Sequence, residues 1–209
     1  MTRRMLCAAA LLVFAALLLH AQTQKAEAQK LYDNGKYKQA IEQCKSEIEA
    51  STASLDTYTV LCWSLIKNGQ YREAEYWATE GLKIGPFDQH ITEALAEAKY
   101  FLGKNDDALA LFQKYVDLVR MNASRVGDAY YYMGEIYIRK AMFNHADIAL
   151  TVATRFAPRN DNWLVRLGYA REMAKSYRES ALAYAQALEI NPTNQDAIRG
   201  KERISKYIY

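Results

Sequence analysis

Glu93 and Glu97 stand four residues apart. One helical turn between two carboxylates is a spacing that suits a general acid and base, or a cation. No nucleophile or third ligand accompanies them, and on an exposed helix face such a pair is ordinarily two solvated charges. Outside the first 21 residues the histidines are His90 and His145, neither with a histidine or cysteine at metal-ligand spacing. Gly35, Gly69 and Gly103 never cluster, so no phosphate-cradling loop is present. The sequence therefore offers no catalytic, cofactor or metal residues, and the expectation is a protein that is not an enzyme.

Thr2-Arg3-Arg4 followed by an apolar run from Met5 to Leu19 and then His20-Ala21 reads as a secretory signal peptide over 1–21, cleaved after Ala21. The run is short of the ~20 residues that a membrane-crossing helix needs, so membrane contact is expected only if the segment is kept as an anchor. The expected location is outside the cytoplasm, most simply the periplasm or envelope of a bacterium. Losing Arg3 and Arg4 leaves 25 basic against 24 acidic residues. That balance carries no basic footprint for nucleic acid. An oxidising compartment permits a Cys44–Cys62 bridge, while both positions on apolar helix faces also suit cysteine as a small hydrophobe. Asn122-Ala123-Ser124 fits the N-glycosylation acceptor pattern, which in a bacterial envelope protein is most simply coincidence.

The elements that would position any site repeat. NGKYKQAIEQC from Asn34 to Cys44 returns as NGQYREAEYWA from Asn68 to Ala78, and the register continues through Ala40, Ala74, Ala108, Ala146 and Ser180. Period, length and helical patterning predict two antiparallel helices per unit. In the fourth unit Tyr130, Met133, Gly134 and Tyr137 form one helix stripe, followed by Ala146, Leu150, Ala153 and Pro158. Gly35, Gly69 and Gly103 fall where a left-handed residue would end the first helix.

These positions resemble the tetratricopeptide repeat: Trp-x2-Leu-Gly-x2-Tyr, then Ala-x3-Phe, then Pro. The resemblance implies an all-α, right-handed α-solenoid of five repeats (about 21–54, 55–88, 89–122, 127–160 and 161–194) within 22–194, with 195–209 as a capping helix. Departures are Thr52 for proline, Lys99 and Asn105 for apolar or aromatic residues, Arg171 for tyrosine, Ser180 for alanine, and Trp163 one residue early. Four extra residues near Met121–Ser124 separate repeats three and four.

In this family the first helices line a concave, partner-binding surface. Carried over by phase, that groove is Tyr32, Trp63, Ile66, Lys67, Glu97, Tyr100, Tyr131, Glu135, Arg139, Arg166 and Tyr169, with Lys25 and Glu93 beside it. The carboxylate clamp of chaperone-binding members is absent: Lys25 matches its first residue, but Gln29, Val60, His90 and Ala94 occupy the others. The implied function is a scaffold for a protein or peptide partner, with no cofactor and no small-molecule substrate. The alternative is a structural subunit of an envelope assembly, docked through its convex face or ends.

Overall fold

The structure is a computed structural model that describes residues 27–208. The predicted leader 1–21, its cleavage point and Lys25 lie outside the described residues, among which no helix is long and apolar enough to cross a membrane. The described secondary structure is entirely helical.

The chain divides into two compact units between Leu102 and Gly103. The first holds α1 (27–33), α2 (Tyr37–Glu49), α3 (Leu55–Lys67), α4 (Tyr71–Ile84) and α5 (Gln89–Phe101). The second holds α6 (Asn105–Leu118), α7 (Val126–Arg139), α8 (Phe143–Phe156), α9 (Asp161–Met173), α10 (Tyr177–Ile190) and α11 (Gln195–Ile204), followed by a 3-10 turn, Ser205–Tyr207. The four residues that interrupt the period fall in the 119–125 loop before α7.

Two local devices start and stop these helices. Ser54, Asp88, Asn160 and Asn194 cap α3, α5, α9 and α11 by accepting backbone N–H bonds of the first turn, Ser54 in a reciprocal box with Thr57. Asn194 lies thirty-four residues after Asn160, so the capping helix α11 begins in the phase of a sixth first helix. The first helices end in left-handed residues at one phase: Gly35, Gly69 and Gly103, then Ala141 (φ 56°) and Lys175 (φ 64°). At Lys175 the amide donates to Glu172 O at 3.0 Å and Ser176 N–H to Arg171 O at 2.9 Å, which satisfies the last-turn carbonyls.

Packing follows the small residues. In the first unit α3 packs on α2, α4 and α5. A Cβ on Gly81 would stand 2.9 Å from Ile91 Cδ1 and 3.1 Å from Tyr58 Cβ, so a larger residue here would have to push back side chains of α5 and α3. In the second unit α8 packs on α7 and α9, and α10 on α9 and α11. Here Gly134 lies against Leu150, and Gly168 and Gly200 both lie against the Tyr184 ring. Tyr184 is 1% exposed, and burying a ring of that size stabilises by about 2 kcal/mol. All five register residues from Ala40 to Ser180 are fully buried. Ser180 keeps its place because its hydroxyl donates to Gly168 O at 2.8 Å, so the buried polar group is satisfied.

Cys44 and Cys62 are both free thiols and fully buried. Burial, with Glu47 adding to it, pushes the Cys44 thiol up to about 12. Burial also raises Cys62, whose Sγ lies 3.8 Å from Ala74 O. Both behave as small hydrophobes in the α2–α3–α4 packing.

Candidate functional site

In the first unit, Tyr32 of α1, Trp63 of α3 and His90 of α5 form a chain of ring contacts. Tyr32 and Trp63 centroids are 5.8 Å apart, and Trp63 and His90 are 5.6 Å apart edge to face. The Trp63 indole donates to Glu93 Oε2 at 3.2 Å. Three successive first helices are thereby joined through side chains. Of the other predicted groove residues, Lys67 is exposed, while Ile66, Glu97 and Tyr100 are buried at 5%, 3% and 7% exposure. Every residue of α5 from Ile91 to Ala98 is buried, so the Glu93–Glu97 pair lies in the packed interior and not on a solvated face. A buried side chain offers little area to a partner, which leaves Tyr32, Trp63 and Lys67 as the accessible part of this set.

In the second unit, α7 and α9 bring Tyr131 and Trp163 into a parallel stack, 4.9 Å between centroids and 9° between planes. One turn along, Arg166 grips Glu135 with two bonds, Nε to Oε1 at 2.5 Å and Nη2 to Oε2 at 2.9 Å, and its guanidinium stands 5.3 Å from the Tyr169 ring centroid. Burial opposes the charge on Arg166, but the Glu135 hydrogen bonds and charge outweigh it and hold its pKa above the ordinary value. Glu135 and Arg166, both among the predicted groove residues, are thus paired with each other. Arg139 is exposed, with Nη1 donating to Asn105 Oδ1 at 3.1 Å.

Phase alone does not mark His90 or Trp163 as members of these ring systems. The signals lie in the aromatic character of His90 and in the early position of Trp163, which lets α9 reach Tyr131. Elsewhere in the second unit, α8, α9 and α10 enclose a cleft of about 570 Å³ lined by Arg155 and Glu189, with Leu164 and Leu167 among its apolar walls. Nothing in the residue pattern signals it. Among the described residues no three His, Cys, Asp or Glu side chains converge as a metal site would require.

No family model and no curated protein matches the sequence. Solved structures are similar in fold. YrrB, described as a TPR protein with an unusual peptide-binding site, is 16% identical with a TM-score of 0.69, over 86% of this chain and 90% of that one. MamA is 18% identical with a TM-score of 0.67, over 90% of this chain and 96% of that one. TTC0263, a thermophilic TPR protein of Thermus thermophilus, is 17% identical with a TM-score of 0.62, over 89% of this chain and 99% of that one. The recurring helix pairs, the buried small-residue register and the turns at one phase agree with this likeness: the chain has the tetratricopeptide-repeat fold.

Proposed function

We propose that the chain is an exported, non-catalytic scaffold that holds an extended peptide or a partner helix on its first-helix faces. The observation that carries this reading is the aromatic contact chain Tyr32–Trp63–His90 across three successive first helices. The Tyr131–Trp163 stack gives the second unit the same kind of surface. Rings already held by neighbouring rings lose little rotamer freedom on binding and bring large amphipathic area. Lys67 and Arg139 set the charge that a partner meets, and the Arg166–Glu135 pair holds Tyr169 in place beside it. The likeness to YrrB adds a precedent for peptide binding on this fold. Export rests on the Arg3-Arg4 and Met5–Leu19 leader pattern alone.

Crosslinking in the native cells, with mass spectrometry of the joined peptides, identifies the partner and the face. Links at Lys67 are expected. With that partner purified, Trp63→Ala combined with Tyr131→Ala should weaken binding by about tenfold or more while the helical circular dichroism persists. Unchanged binding by a folded double variant would refute the first-helix reading, and crosslinks confined to the second helices would favour a subunit of an envelope assembly.

A further inference from the structure

The outward stripes of α8 and α10 carry an arrangement that peptide binding on the first helices does not use. Ile148 on α8 is 69% exposed and Leu182 on α10 is 64% exposed. They occupy the same position of consecutive repeats, thirty-four residues apart. Two helical turns further along, again at one position, stand Arg155 on α8 and Glu189 on α10, both lining the 570 Å³ cleft. Both are exposed. One turn before the apolar pair, His145 and Glu179 occupy the corresponding places, both exposed. At these three levels the patch pairs two apolar side chains, an α8 guanidinium with an α10 carboxylate, and an α8 imidazole with an α10 carboxylate.

Such a patch is complementary to itself. We propose that a second copy of this chain docks here about a two-fold axis running parallel to α8 and α10, each copy's α10 seated in the other's α8–α10 cleft. A two-fold contact repeats every interaction twice: if one residue meets another, the second meets the first across the axis. Seated this way, Glu189 reaches Arg155 of the other copy, Leu182 meets Ile148, and Glu179 meets the imidazole of His145, which can donate a hydrogen bond to it. The helix ridge enters a groove, which is how packed helices fill space. Had both ridges carried the same charge, the same contact would repel. Two 14-residue helices present a face about 21 Å long, so the contact is at the small end for specific association and the affinity expected is micromolar. The inference holds whether or not the first-helix faces take a peptide.

Sedimentation velocity of the purified chain, from low micromolar into the hundreds of micromolar, tests it. A reversible monomer–dimer equilibrium is expected. Leu182→Asp should weaken it by about tenfold or more. Arg155→Glu and Glu189→Arg should each weaken it, and the two together should restore it, since the reversed charges meet again across the axis. All three positions lie on exposed helix faces, and helical circular dichroism checks that each variant is folded. A chain that stays monomeric throughout, a dimer indifferent to Leu182→Asp, or a double reversal that fails to recover association would each overturn the proposal. Loss of a different protein's crosslinks from Leu182→Asp in a monomeric chain would overturn it too, by giving the patch to another occupant.

Discussion

The Tyr184 hydroxyl, at the centre of the α9–α10–α11 core, donates to Glu172 Oε2 at 2.7 Å. The same carboxylate receives Arg203 of α11 through two bonds of 2.8 Å each. One carboxylate therefore fastens the capping helix and satisfies the phenol beneath it. Without α11 the Tyr184 ring would lose the Gly200 backbone packed against it.

The latch predicts a pH dependence. Burial works to raise the Glu172 pKa, but the bonds from Arg203 and Tyr184 outweigh it and set the folded value below the ordinary one. A depressed carboxylate contributes stability that is complete above its unfolded pKa and is lost as pH falls through the folded value. Urea midpoints from pH 7 down to pH 3 should fall more steeply for the native chain than for Glu172→Gln. At pH 7 Arg203→Ala should cost about 1 kcal/mol, a charge-assisted pair discounted because Arg203 is half exposed.

Ala141 and Lys175 hold left-handed φ where the earlier repeats have glycine. A Cβ in that region costs about 1 kcal/mol, partly offset by the extra unfolded-state freedom that glycine brings. Ala141→Gly and Lys175→Gly should each raise the urea midpoint, by roughly 0.5 kcal/mol in stability. Gly69→Ala, in the same conformation, should lower it by about 1 kcal/mol. Shifts of the same sign from these opposite changes would show that backbone strain does not govern these turns.

A Cβ on Gly134 would stand 2.5 Å from Leu150 Cγ, closer than side-chain atoms approach. Gly134→Ala should destabilise by about 1–3 kcal/mol through overpacking. Pairing it with Leu150→Ala in a double-mutant cycle should show strong coupling, because the second change removes the atoms that clash. Additive losses would mean that α7 and α8 do not meet here.

Buried thiols with raised pKa values do not react as thiolates. At pH 8 the native chain should leave Cys44 and Cys62 unmodified by an aromatic disulfide reagent, and denaturant should expose both. A denatured chain in which neither reacts until reductant is added would instead establish a bridge. Cys7 adds a third thiol wherever the leader is retained.

The repeat, its helical class and its turn phase were legible because each depends on residues within a turn or two of one another. Gly35, Gly69 and Gly103 announce left-handed ends, and Ala40, Ala74, Ala108 and Ala146 mark where helices close on each other. The departures from the pattern were legible only as irregularities. Lys99 pairs with Glu75 at 3.0 Å, Asn105 accepts from Arg139, and Trp163 stacks on Tyr131. Arg171, standing where a tyrosine is usual, bonds Asp147 at 2.8 Å and Thr151 at 3.2 Å, tying α9 to α8.

The sequence by itself determined the all-helical repeat, its register and the phase at which aromatic side chains recur. Tertiary structure alone decided which of those side chains are open and which are packed. Ile66, Glu97 and Tyr100 belong to the same predicted groove as Lys67 and Trp63, yet the first three are buried. It also decided that Arg166 is held by Glu135, and that Arg155 and Glu189 line one cleft. The physical reason is range: helix periodicity is set within four residues, whereas burial and charge pairing are set by side chains some thirty residues away, which no local pattern encodes.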